Sequence, residues 1–203
     1  MLARVSFGIV RPVDAAGVYA FPTREFRRLE QAGALHRVAT GYYAVVPPAA
    51  RGREWLPSLE AVAFGIPAAD YGPDEAVLMG LSAARMHGAI PRALAVAVVA
   101  APKQRPPVLL KDRPARVVFA MRDVGRLEAE RMAGDLGPVL VTTIEQTVLD
   151  LARRPGLGGV PDEAQAAVRA CWARADRDEL WRVARDQRLV SAARRAERWS
   201  EEG

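Results

Sequence analysis

The side chains best placed for chemistry are Arg24, Arg27, Arg28 and Gln31, in the stretch PTREFRRLEQAGALHRVATGYYAVVP at 22–47. At 100° per residue these four share one face of a helix, with Phe26 and Leu29 opposite. Glu25 and Glu30 fall on the flanks, away from the arginines. Guanidinium and carboxamide groups in that array suit phosphates and the edges of guanine and adenine in a duplex. The helix is expected over about Arg24 to Ala32, with Thr23 as its N-cap and Gly33 as its stop. Beyond it, Leu35–Val38 and Tyr42–Val46 are β-prone runs joined by Ala-Thr-Gly, a hairpin signature. Pro47 and Pro48 end the ribbon. A short helix, a tight reversal and a ribbon form the second half of a winged helix-turn-helix, in which the helix enters the major groove.

The remaining chemistry-bearing residues do not assemble. His36, His87 and Cys171 are the only histidines and cysteine, too few and too scattered for a zinc site of familiar spacing. Gly156-Leu157-Gly158-Gly159 has no following lysine and follows a helix, so it reads as a loop and not as a phosphate cradle. Neither Lys103 nor Lys111 has an acid two positions before it, as an acid-x-lysine nuclease pair needs. Asp176-x-Asp178 falls between two helices, where a metal-binding pair on a strand is not expected. Ser82 has no elbow glycines around it. His36 begins the ribbon, where contact with DNA or solvent is expected; His87 ends a helix, where an imidazole is favoured by the carboxyl-end dipole. No catalysis, metal or cofactor is expected.

Composition agrees with a nucleic-acid partner for one end of the chain. Of 203 residues, 29 are basic and only Lys103 and Lys111 among them are lysines. Residues 1–55 hold 8 basic and 4 acidic side chains, a net of +4 out of the total of +5. Residues 56–150 hold 10 and 11, and the tail from 151 holds 11 and 9. A positive charge concentrated on the first quarter is the footprint of phosphate binding. A lone cysteine allows no intrachain disulfide, there is no charged-then-apolar leader, and the run Ala93–Ala101 is too short to span a bilayer. A cytoplasmic protein without a membrane partner is expected.

Along the chain, Pro12 opens a short helix to Gly17, and Val18-Tyr19-Ala20-Phe21 is expected to pack beneath Phe26 and Leu29. Val5–Val10 reads equally as strand or helix. A polar link at 49–54 leads to a short helix from Ser58 to Phe64 and a second from Pro73 through Leu78, Leu81 and Met86 to Gly88. Strands are expected over Leu94–Ala101, Pro107–Leu110, Arg116–Ala120 and Pro138–Val141. Thr142-x-x-Glu145 and Thr143-x-x-Gln146 both fit capping boxes for the next helix. Helices over Asp162–Arg174 and Asp178–Leu189 follow, and Arg194–Gly203 is expected to fray. The fold class is α+β: an N-terminal winged helix-turn-helix over 1–50, then a larger mixed α/β domain over 55–203 with a helical tail.

Three blocks, LEQAGALHRVATGYYAVVPP at 29–48, GLSAARMHGA at 80–89 and PVLVTTIEQTVLDLARRP at 138–155, stand in the order found in a known family. The chain resembles the AbiEi antitoxins of type IV toxin–antitoxin (abortive infection) systems. The resemblance implies a winged-helix autorepressor that binds inverted repeats in its own promoter, in a bacterial, nucleoid-associated setting. It also implies a C-terminal domain that counters a nucleotidyltransferase-like toxin without requiring a stable complex. DNA contact would then fall to Thr23, Arg24, Arg27, Arg28, Gln31, Arg37 and Thr40. Antitoxin-function candidates would be Arg85, His87, Thr143, Glu145, Gln146 and Asp150, each of which also has a structural reading as a cap or ion pair. The expected state is a monomer or weak dimer. Two other readings compete: a stand-alone winged-helix transcription factor with a ligand- or partner-sensing C-terminal domain, and a nucleic-acid-processing enzyme built after residue 56.

Overall fold

The computed structural model describes residues 8–202; the part of Val5–Val10 before Gly8 lies outside them. The architecture is α+β, with seven α-helices and two sheets among the described residues. Strand β1 (Ile9–Val10) leads through one 3-10 turn at Pro12–Ala15 to α1 (Pro22–Gln31), then β2 (Leu35–Ala39) and β3 (Tyr42–Val45). These strands form an antiparallel sheet in the order β1-β3-β2. The α-helix expected from Pro12 to Gly17 is thus a single 3-10 turn. The hairpin turn is Thr40-Gly41, and a bulge separates Arg37 from Ala39.

Helix α2 (Leu59–Tyr71) follows, capped by Ser58, whose Oγ accepts from Ala61 N–H. It runs a further two turns past Phe64 and carries Pro67 inside, because almost every side chain up to Ala68 is buried and packing outweighs the proline. The continuous helix expected from Pro73 to Gly88 is absent. In its place stand a 3-10 turn at Pro73–Glu75, strand β4 (Val77–Leu78) and helix α3 (Gly80–Met86). Gly80, at φ 53°, makes the left-handed break between strand and helix that a side chain would resist.

The chain continues with β5 (Val96–Ala101), β6 (Val108–Leu109), β7 (Arg116–Met121), β8 (Ala129–Met132) and β9 (Val139–Thr142). With β4 they form a mixed sheet in the order β6-β7-β5-β4-β9-β8. Four helices close the fold: α4 (Ile144–Arg153), α5 (Pro161–Trp172), α6 (Arg177–Asp186) and α7 (Val190–Glu201). The last is a packed helix and not a frayed tail, because Ala192, Ala193 and Ala196 are buried in the helical core. None of the described helices is long and apolar enough to cross a membrane.

Both faces of the large sheet are covered, and β5 shows this most clearly. Val96, Val98 and Ala100 face the core built with α3 to α7, while Ala97, Val99 and Ala101 face the core built on α2. That second core also contains Ile9, Val38, Ala39 and Ala44 from the small sheet. The hydrophobic interior therefore runs without a break from the first fifty residues into the larger unit. The junction is close enough to demand glycine at position 8: at φ 64°, a Cβ there would lie 2.9 Å from Leu136 Cβ. Lys111 N–H also donates to Val38 O across the same boundary.

Candidate nucleic-acid interface

Helix α1 is docked by one face. Phe26 is fully buried and meets the Tyr43 ring edge-on, with centroids 5.2 Å apart, inside a small cluster with Val10, Ala15 and Leu35. Arg24, Arg27, Arg28 and Gln31 all project to solvent from the opposite side. The helix ends as its glycine suggests: Gly33 N–H returns to Glu30 O and Ala34 N–H to Leu29 O. Its start differs from expectation. Pro22 is the first helical residue, Phe21 occupies the cap position without a side-chain bond, and Thr23 lies exposed inside the first turn.

Glu25 is not clear of the arginines. It accepts a forked pair from Arg28, at 2.6 Å to Nη2 and 3.0 Å to Nε, and this bond holds the Glu25 carboxyl below its ordinary range. Arg28 is nevertheless 64% exposed, and Arg24 and Arg27 have no carboxylate partner among the described residues. Thr23, Arg24, Arg27, Arg28 and Gln31 line a single open concavity of about 980 Å³. Thr23 also lines a second, of about 480 Å³, with Thr40 and Gly41 at the hairpin tip. Arg37 stands exposed on β2 and lines neither of these two.

The segment before α1 departs most from the sequence reading. Of Val18 to Phe21, only Tyr19 packs against the α1 cluster; Val18 is 48% and Phe21 72% exposed. Phe21 opens the larger concavity together with the arginines.

A polar clasp fixes this unit to the rest of the molecule, and nothing in the sequence announced it. Asp70, near the end of α2, accepts from Arg11 Nη1 at 2.5 Å, Arg105 Nη1 at 2.5 Å and the Tyr42 hydroxyl at 2.8 Å. Burial, with Asp70 reinforcing it, pushes the Tyr42 phenol up, so it stays a donor. His36 is half-buried and paired, where an open surface position is expected from the sequence. Its Nε2 lies 3.0 Å from Asp112 Oδ2 and its ring meets Trp55 edge-on. The Asp70 contacts join residues 28 to 59 positions apart, and His36 and Asp112 are 76 apart, so no local pattern announces them.

The second group of candidates is distributed through the larger unit, each tied into the fold. Arg85 Nε donates to Glu60 at 2.6 Å, and a further Arg85 N–H donates to Arg92 O. His87 caps α3, and its Nε2 lies 2.7 Å from Thr142 O. Thr143 is the cap of α4 and accepts from Gln146 N–H, whereas Glu145 turns away to accept from Asp176 N–H at 3.0 Å. Of the two capping boxes, only the hydroxyl half of the Thr143 one forms. Gln146 Oε1 accepts from Gln187 Nε2, and Asp150 accepts from Arg122 at 2.9 Å. Burial pushes the Asp150 carboxyl up, with Arg122 opposing. Arg122 also lines a concavity of about 400 Å³ with Asp123, Arg126, Asp186, Gln187 and Arg188. Asp176 serves as the cap of α6, accepting from Glu179 N–H.

A guanidinium-bearing helix beside a hairpin, locked to a two-faced mixed sheet with a helical cover, defines an α+β protein with an outward basic surface. Residues 75–201 match the family model for the AbiEi antitoxin C-terminal domain, and the chain belongs to that family of toxin–antitoxin antitoxins. No curated protein matches it. Among solved structures it is similar to the RV2827C protein from Mycobacterium tuberculosis, with TM-score 0.61 and 21% identity over 98% of this chain and 73% of that one. That likeness extends the shared fold across the N-terminal unit as well.

Proposed function

We propose that this antitoxin is also a DNA-binding autorepressor, with residues 1–50 acting as a winged helix-turn-helix and residues 55–203 as the antitoxin domain. The observation that carries the reading is the single concavity lined by Thr23, Arg24, Arg27, Arg28 and Gln31 on a helix anchored through Phe26. In the major groove, such a helix presents its N-terminal residues to base edges, and the hairpin with Arg37 and Thr40 lies against the backbone. The target is double-stranded DNA with inverted repeats in its own promoter, read by monomers side by side or by a weak dimer in the bacterial cytoplasm. The counterpart is a nucleotidyltransferase-like toxin, opposed without a stable complex. Arg85, His87, Thr143, Glu145, Gln146 and Asp150 remain the candidates for that second task, through the surfaces their bonds shape.

The test is fluorescence anisotropy on promoter DNA at two salt concentrations. Arg27→Ala is expected to weaken specific binding by about 1–3 kcal/mol if it reads a guanine edge. If it contacts phosphate, it weakens binding to all sequences and lowers the salt slope by about 1. Arg27 is exposed, so stability should not change. Undiminished binding and slope would exclude α1 as the reading helix. The concavity where Arg126 and Arg188 stand with Arg122, Asp123 and Asp186 supports a second reading, a transcription factor whose larger unit senses a small polar ligand.

A further inference from the structure

We propose that Phe21 is a base-reading residue, making an apolar contact with a thymine methyl group in the major groove. The inference rests on the DNA-binding reading above and names one determinant of its sequence preference. Among the described residues Phe21 is the most exposed of the large hydrophobic side chains, at 72%. An aromatic ring of that size is costly to leave in water, and the fold gains nothing from it there. It belongs to none of the three buried clusters.

Its position gives the exposure a purpose. Phe21 occupies the cap of α1, immediately before Pro22 fixes the first turn, and the first residues of a recognition helix are those that reach base edges. It lines the same concavity as Thr23, Arg24, Arg27, Arg28 and Gln31. A ring set among guanidinium groups on one continuous face matches the major groove of duplex DNA. There the thymine C5-methyl is the one apolar feature beside guanine acceptors. Val13, 69% exposed, lines the neighbouring concavity with Pro22, Thr23 and Thr40, so the apolar character continues toward the hairpin tip. The surrounding charge also decides between occupants. A second copy of this chain would bring Arg24, Arg27 and Arg28 against their own like charges, whereas a polyanion is drawn to them.

The test selects duplexes from a randomised pool with the wild-type protein and with Phe21→Ala, then measures wild-type affinity for the winner carrying thymine or deoxyuridine. The expected result is a required thymine near a guanine that disappears from the Phe21→Ala selection. For wild type, deoxyuridine there should weaken binding about fourfold, the worth of one buried methyl; Phe21→Ala should bind both duplexes alike. Its salt slope should equal that of wild type, because no phosphate contact is lost. Its thermal midpoint should be unchanged, because the ring packs against no core. Equal wild-type binding to both duplexes, with sequence preference intact, overturns the role of Phe21 and leaves the DNA reading standing. Altered sedimentation of Phe21→Ala with unaltered DNA selection also overturns it, in favour of self-association. No enrichment and no salt-dependent binding by wild type removes both.

Discussion

Asp70→Ala should weaken the whole molecule, not only its neighbourhood. The Asp70 side chain is 10% exposed and holds two guanidinium groups, Arg11 and Arg105, each 24% exposed. It also accepts from the Tyr42 hydroxyl, so one carboxylate joins the small sheet, α2 and the segment after β5. All three bonds end on the charged carboxylate, and a hydrogen bond to a charged group contributes about 1.5–3 kcal/mol. The sum overstates the loss, because the arginines are exposed enough to turn toward water and Arg11 keeps Asp14 at 2.6 Å. A cost of about 3 kcal/mol is the expected balance. For a chain of this length that is a fall of about 6–12 °C in Tm. Circular dichroism during heating and a urea titration measure it, and a single transition with an unchanged m-value is expected, since the interior is continuous across the clasp. A loss below about 1 kcal/mol would show the clasp to be a solvated surface pair. A separate early transition for the first fifty residues would show that the shared core does not couple the two units.

Two further outcomes follow from titratable groups. Burial pushes the Asp112 carboxyl up, but Arg113 at 2.9 Å and His36 outweigh it and hold the group below its ordinary value. A depressed carboxylate contributes stability that is complete above about pH 4 and lost as pH falls through the lowered folded value. Arg113→Ala should therefore move the acid-unfolding midpoint to higher pH, as followed by intrinsic tryptophan fluorescence. Cys171 is buried, and burial, aided by Glu145 and opposed by Arg174, pushes its thiol up to about 11. Native protein at pH 8 should react with Ellman's reagent only at the rate of unfolding, and urea should release one thiol per chain.

The parts of the fold legible in the sequence are those whose signal is local. Helix α1 and its hairpin show themselves because Phe26 and Leu29 recur at helical spacing and the Thr40-Gly41 turn sits between β-branched and aromatic runs. Strand β5 is equally plain, six apolar residues buried on both sides. The misread parts are those decided at long range. Val77 and Leu78 sit in an Ala-, Leu- and Met-rich stretch that favours helix, yet they pair with Ala100, Val99 and Val141. Ala129–Met132 is a polar edge strand recruited only because β9 offers it a partner. Val190–Glu201 looks too charged to pack, but its alanines form a narrow seam against α4 and α5. The exposed basic face of α1 is visible from charge periodicity, whereas the exposure of Phe21 is not. An aromatic residue beside a helix looks like core until the backbone shows where it lies.

The insertion of the small sheet into the interior of the larger unit bears on how the chain is made. Gly8 rests on Leu136, and Ile9, Val38 and Ala44 share their cluster with Val139 and Val141. During translation the arginine helix and its Phe26 anchor emerge early, but the far face of the small sheet is covered only when the ribosome has passed the ninth strand. On the autorepressor reading, a nascent or prematurely terminated product would leave the promoter open. Silencing would then register finished antitoxin molecules rather than initiated ones.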